Sequence, residues 1–182
     1  MPVSEATYRR IALEDPEGQW ELACGQFLRR KPPMTQDHNS TARRLAFLLQ
    51  RQLPLEEYEV ASNAGRTRVA SGANYIPDVM VIPVVLMAPP RSNRELETYD
   101  EPLPLIVEVW SPSTGDYDLG EKLLEYQRRG DHEIWLVHPY ERTVTAWVRQ
   151  EDGSYRETTT RDGSIWPSDV PGVAIELRAI FR

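Results

Sequence analysis

The chain has one cysteine, Cys24, too few for an intramolecular disulfide or a cysteine-based zinc cluster. That usage fits a reducing cytoplasm. Long hydrophobic runs are also missing. The longest, Val79 to Ala88, is interrupted by Pro83 and is far too short to span a bilayer. The opening MPVSEATYRR lacks the apolar segment of a secretory signal. There is no excess of basic residues: 21 Lys and Arg stand against 28 Asp and Glu, a net charge of −7. This argues against a nucleic-acid binder with a broad basic face. It leaves a metal-dependent nuclease open, because such an enzyme needs clustered acids and the metal supplies local positive charge. No Gly-rich phosphate loop, nucleophile elbow or dinucleotide fingerprint occurs. His132 and His138 flank one apolar run with no carboxylate at ligand spacing, so no zinc site is indicated.

At 182 residues, with five Trp and eight Tyr, the chain can build one real core. No repeat or linker divides it, so residues 1–182 are expected to form a single domain. A short helix is predicted over 4–14. A hairpin follows, WELA and QFLR about a two-residue Cys24-Gly25 turn, stopped by Pro32 and Pro33. Ala42, Leu45, Ala46, Leu49 and Leu53 recur at helical spacing, which predicts a helix over 36–53 with His38 on its apolar face. Strands are expected at 58–62, 66–70, 77–82 and 105–110. The Pro-rich segment 89–104 is expected to be a loop. A helix over 116–129 should end at Gly130. Strands at 133–138, 143–149, near Tyr155 and in the tail 172–181 complete the chain. The core order α-β-β-β-α-β predicts an α/β (α+β) fold. It is a mixed β-sheet with flanking helices, an N-terminal hairpin and C-terminal strands.

Two carboxylates stand out. Asp78 opens one apolar run and Glu108 lies inside another, Leu105 to Trp110. A carboxylate in such a run is costly to bury unless it meets a cation, a metal or hydrogen-bond donors. Two of them at matching places in two strands suggest one shared hard-metal site. If the pair is close, removing one acid should relieve like-charge repulsion in the metal-free protein. Lys122 lies just past the second strand. Its alternative reading is a surface lysine balancing Glu121 and Glu125. The basic groups Arg29-Arg30-Lys31, Arg66/Arg68 and Arg128-Arg129 read as solvated surface.

Several strings resemble the Uma-two family, a group of bacterial endonuclease-like proteins within the PD-(D/E)XK superfamily. They are WELACGQF (20–27), His38, IPDV (76–79), VEVWSPST (107–114), YDLGEK (117–122), YQRRG (126–130) and EIWLVHP (133–139). The resemblance covers nearly the whole chain and implies a restriction-endonuclease-like fold. It implies Asp78 and Glu108 as ligands of Mg²⁺ or Mn²⁺, with the Val109 carbonyl as a third. It also implies Lys122 as a catalytic lysine relocated to the helix, since Trp110 stands where the superfamily's usual lysine falls. Two further departures are Cys24 and His138, each at a place where the family usually has aspartate.

Three residues join the candidate list with alternatives open. Glu21 is either a further acid near the metal or an outward hairpin residue. His38 is either a hydrogen-bonded core-edge histidine or support for the metal or phosphate. Asp118 could pair with Lys122 at i,i+4 or stabilise the helix N-terminus. The expected activity is metal-dependent hydrolysis of DNA phosphodiesters in a bacterial cytoplasm. The expected partners are nucleic acid and a second copy of the chain, with no membrane. The alternatives are a catalytically silent binding module, or a nuclease for RNA or branched DNA. Retention of Asp78, Glu108 and Lys122 favours an enzyme. The acidic charge favours the silent module.

Overall fold

The computed structural model describes residues 2–24, 26–87, 95–113 and 117–181, with the backbone alone for Asp118 and Leu119. Helix α1 (Glu5–Glu14) starts at Ser4, whose hydroxyl accepts the Thr7 N–H. Strands β1 (Trp20–Ala23) and β2 (Phe27–Arg30) form the hairpin. Ala23 faces Phe27, so three residues make the turn rather than the expected two. Gln26 takes the left-handed conformation (φ 63°) that closes such a turn. Gly25 lies outside the described residues.

Helix α2 (Gln36–Gln50) is capped by the Thr35 hydroxyl, which accepts the His38 N–H. It buries His38, Thr41, Ala42, Leu45 and Leu49, the face that the periodicity predicts. It ends three residues earlier than expected. The next strands are β3 (Tyr58–Ser62), β4 (Arg66–Arg68), β5 (Asn74–Tyr75), β6 (Val79–Pro83), β7 (Thr98–Tyr99) and β8 (Leu105–Val109). Then come β9 (Glu133–His138), β10 (Thr143–Arg149), β11 (Tyr155–Thr160), β12 (Ser164–Ile165) and β13 (Ile175–Glu176).

Among the described residues, six strands form the main mixed sheet in the order β11-β10-β9-β8-β6-β3. β8 and β9 run parallel; β6 and β8 are antiparallel neighbours at its centre. One face carries Val79, Val81, Leu105, Val107 and Val109 against Ala42, Leu45 and Leu49 of α2. The other carries Met80, Ile82, Ile106 and Ile134 against Tyr75 and Tyr126. Burial on both faces explains the unbroken apolar runs. Each such side chain contributes about 1.5–3 kcal/mol.

A second sheet, β2-β1-β5-β4-β7, packs the hairpin near the start of β6. Its members β5 and β7 are two residues long, too short to show a period. β7 corrects the reading of 89–104 as loop throughout, since it pairs parallel with β4. Residues 88–94 lie outside the description. Strand β4 also stops two residues short of expectation.

The predicted helix over 116–129 is a π-helical turn, Asp118–Lys122, leading into α3 (Leu123–Arg129). Residues 114–116 are outside the description. Gly130 ends α3 in the left-handed region (φ 88°) and donates to the Tyr126 and Gln127 carbonyls, as its position predicts. The tail holds the expected short strand as β13; it pairs with β12 and gives way to a helical turn that was not expected, α4 (Leu177–Ile180), which buries Leu177 and Ile180 in the α2-side core. Among the described residues, no helix is long and apolar enough to cross a membrane.

Candidate active site

Val79 faces Val107 across the β6–β8 pair, and extending that register by one residue sets Asp78 opposite Glu108. Asp78 stands one residue before β6 rather than within a strand from 77. Both acids line a cavity of about 10 Å³, together with Glu21, Lys31, Tyr117 and Lys122. That is roughly the space of one water or small ion.

Asp78 is 1% exposed. Its Oδ1 accepts from Lys31 Nζ at 2.6 Å. Its Oδ2 accepts from the Val109 N–H at 2.7 Å and meets His38 Nε2 at 2.9 Å. Burial pushes this carboxyl up, but the Lys31 ammonium and the His38 ring together outweigh burial and hold it well below the ordinary carboxylate range. His38 is thus buried and hydrogen-bonded to Asp78, a position compatible with both of its alternatives.

Glu108 Oε1 accepts from Tyr126 Oη at 2.7 Å and from Lys122 Nζ at 3.2 Å. Lys122 Nζ also lies 3.0 Å from Glu21 Oε1, and Glu21 accepts the Ile76 N–H at 2.8 Å. Lys122 therefore bridges Glu108 and Glu21. It is 2% exposed, which rules out the surface-lysine reading. The acids it was to balance are engaged elsewhere: Glu121 accepts from the Cys24 N–H and Tyr75 Oη, and Glu125 from Ser71 Oγ and Arg128. The Tyr75 and Tyr117 rings lie 5.8 and 5.6 Å from Nζ, within cation–π reach. Glu21 is buried, not an outward hairpin residue. The Asp118 side chain lies outside the described residues.

Sequence reasoning missed Lys31. It reads there as part of a solvated basic run, yet it is buried, and its Nζ donates to Asp78, to Asn63 Oδ1 (2.9 Å) and to the Ile76 carbonyl (3.0 Å). Those three bonds use all the protons of an ammonium. No local spacing signals this; the antiparallel hairpin carries Lys31 from the end of β2 to the start of β6. Sequence reasoning also gave Tyr126 no place at the site, yet its hydroxyl donates to Glu108 beside Lys122. Arg29, from the same basic run, stacks its guanidinium over Tyr117 at 3.6 Å. Trp110 stacks on His138 with ring centroids 4.3 Å apart.

Among the described residues, no three His, Cys, Asp or Glu side chains converge as a ready-made metal cage. The available donors are nevertheless of one chemical kind. Asp78 and Glu108 offer carboxylates. The Trp110 N–H bonds to β9, so Val109 directs its own N–H and carbonyl to the β6 edge. An all-oxygen set with few protein ligands suits a hard dication that keeps several waters. The donor chemistry therefore fits Mg²⁺ or Mn²⁺.

A family profile described as "Uma2: Putative restriction endonuclease" matches residues 5–178. Among solved structures, the chain is similar to a putative nuclease belonging to DUF820 from Anabaena variabilis. The TM-score is 0.74, the identity 18%, and the match covers 91% of this chain and 90% of that one. At that identity the likeness shows the fold, which is the α/β architecture expected above. No curated protein matches.

Proposed function

The chain belongs to the Uma2 family of restriction-endonuclease-like proteins, and from that membership we propose a divalent-metal-dependent endonuclease that hydrolyses phosphodiester bonds in DNA. The observation that carries this reading is one buried cavity lined by Asp78, Glu108 and Lys122. Asp78, Glu108 and the Val109 carbonyl would hold the dication. When bound, it supplies Lewis acidity to the phosphate and lowers the pKa of its water.

The chain's own groups act around that centre. Lys122 is a compact ammonium held between Glu108 and Glu21, suited to stabilising charge that builds on a phosphate oxygen. Tyr126 fixes the Glu108 carboxylate. His38 and the Val109 N–H fix one oxygen of Asp78. Lys31 holds the other oxygen, so a dication competes with an ammonium for Asp78. That competition also favours a second reading, a silent module whose acids are neutralised by lysines. A crystal soaked in Mn²⁺ separates the two. Anomalous density between Asp78 and Glu108 is the expected result. Full Mn²⁺ occupancy elsewhere with none between these acids would overturn the metal-dependent reading.

A further inference from the structure

A groove of about 530 Å³ adjoins the cavity and shares Lys31, Pro32 and Met34 with it. Its remaining wall includes Gln19, Arg30 and Asn63. In a protein of net charge −7, this groove carries Arg30 as its available cation, Lys31 being buried and spent on Asp78, and none of its described lining groups is a carboxylate. Gln19 (φ 44°) and Asn63 (φ 50°) both hold left-handed backbone. Such conformations cost non-glycine residues free energy and cluster at functional sites. The two are joined, since Gln19 Nε2 donates to the Asn63 carbonyl. Asn63 in turn accepts from Lys31, which holds Asp78. The groove wall and the candidate active site are thus one hydrogen-bonded unit.

We propose that this groove binds an unpaired stretch of the nucleic-acid strand next to the scissile phosphate, so that the substrate is single-stranded or locally unpaired DNA. The inference rests on reading the adjoining cavity as the cleavage site. Pro32 and Met34 give an apolar floor for a base, and Arg30 a cation for its phosphate. Gln19 Oε1 and Asn63 Nδ2, the amide atoms that the Gln19–Asn63 and Lys31–Asn63 bonds do not use, can meet a base edge. A volume of this size is that of a small-ligand site. A concave slot takes in a single strand along its backbone, whereas duplex grooves are read by a protruding helix or ribbon.

The test is fluorescence anisotropy with a labelled oligothymidylate and a duplex of equal length, in EDTA so that nothing is cut. Wild type is compared with Arg30→Glu, Arg30→Gln and Arg178→Glu. Arg178 has a side chain 85% exposed and lies outside the groove, so its variant makes the same charge change elsewhere. Wild type should prefer the single strand by about 10-fold or more. Arg30→Glu should weaken that binding by about 10-fold and reduce the salt dependence by about one counterion, with Arg30→Gln intermediate. Arg178→Glu should change little. Equal weakening by Arg30→Glu and Arg178→Glu would overturn the groove assignment, as would duplex binding as tight as single-strand binding. A parallel Mn²⁺ cleavage assay separates the two claims. Wild-type cleavage with unaltered Arg30→Glu binding sinks the groove and leaves the endonuclease. Groove-dependent binding without wild-type cleavage leaves the groove and sinks the endonuclease.

Discussion

Lys31 Nζ lies 2.6 Å from Asp78 Oδ1, and both side chains are buried. An acid proposed as a metal ligand is therefore neutralised internally when no metal is bound. Removing one member of such a pair strands the other charge in a medium of low polarity, at a cost of about 3–5 kcal/mol. Lys31→Met should lower the urea midpoint of the metal-free protein accordingly. It should also tighten Mn²⁺ binding, because the competing ammonium is gone. Unchanged Mn²⁺ affinity in a folded Lys31→Met protein would contradict the competition.

Asp78→Asn reverses an expectation drawn from the sequence. Like-charge repulsion alone predicts that losing one acid steadies the metal-free protein. The structure gives Asp78 an ammonium and an imidazole partner, so the variant should be less stable by about 3–5 kcal/mol. It should also lose most of the rise in melting temperature that Mn²⁺ produces by mass action. Thermal melts with and without Mn²⁺ check both. A full metal-dependent shift in Asp78→Asn would exclude this carboxylate as a ligand.

The proposed site was legible in part, and for a physical reason. Asp78 and Glu108 interrupt apolar runs, so burial cost marks them. The helical period marks α2 and, with it, His38. Lys122 came from the family resemblance, because its place in a π-helical turn is invisible to a search at α-helical spacing. Lys31 carried no mark, since its partners Asp78 and Asn63 are 47 and 32 residues away. The short strands β5 and β7 were unreadable because two residues cannot show alternation; pairing with neighbours defines them. In the tail the short strand was legible but the turn after it was not, since the four residues Leu177–Ile180 are too few to show a helical period.

Stability should fall at alkaline pH. Burial pushes the Tyr8 phenol up to about 12, and burial also raises Tyr75, Tyr117 and Tyr126. The unfolded value is about 10. Above it the unfolded chain gives up protons that the folded chain keeps, so stability is full below about pH 10 and lost as pH rises through the folded values. For Tyr8 the loss is on the order of 1–3 kcal/mol. Melting temperature should drop steeply from about pH 10 to about pH 12, and less steeply in Tyr8→Phe. A flat profile over that range would contradict the burial of these phenols.

Lys122 should matter for cleavage more than for metal binding. Lys122→Ala should keep a Mn²⁺-induced rise in melting temperature while losing about 10²–10³-fold in cleavage rate, the effect of deleting one electrostatic donor. Lys122→Arg should rescue poorly, because a planar fork does not replace a compact ammonium between Glu21 and Glu108. Loss of the metal-induced shift in a folded Lys122→Ala protein would assign this lysine to metal retention instead.

The central claim is that Asp78 and Glu108 form a metal-dependent centre for phosphodiester cleavage. Its most direct test is the nicking rate on plasmid and single-stranded DNA in Mn²⁺, for wild type and Asp78→Asn side by side. The account predicts cleavage by wild type that EDTA abolishes, and none above background by Asp78→Asn. Cleavage by Asp78→Asn at the wild-type rate, or none by wild type on either substrate, would contradict it.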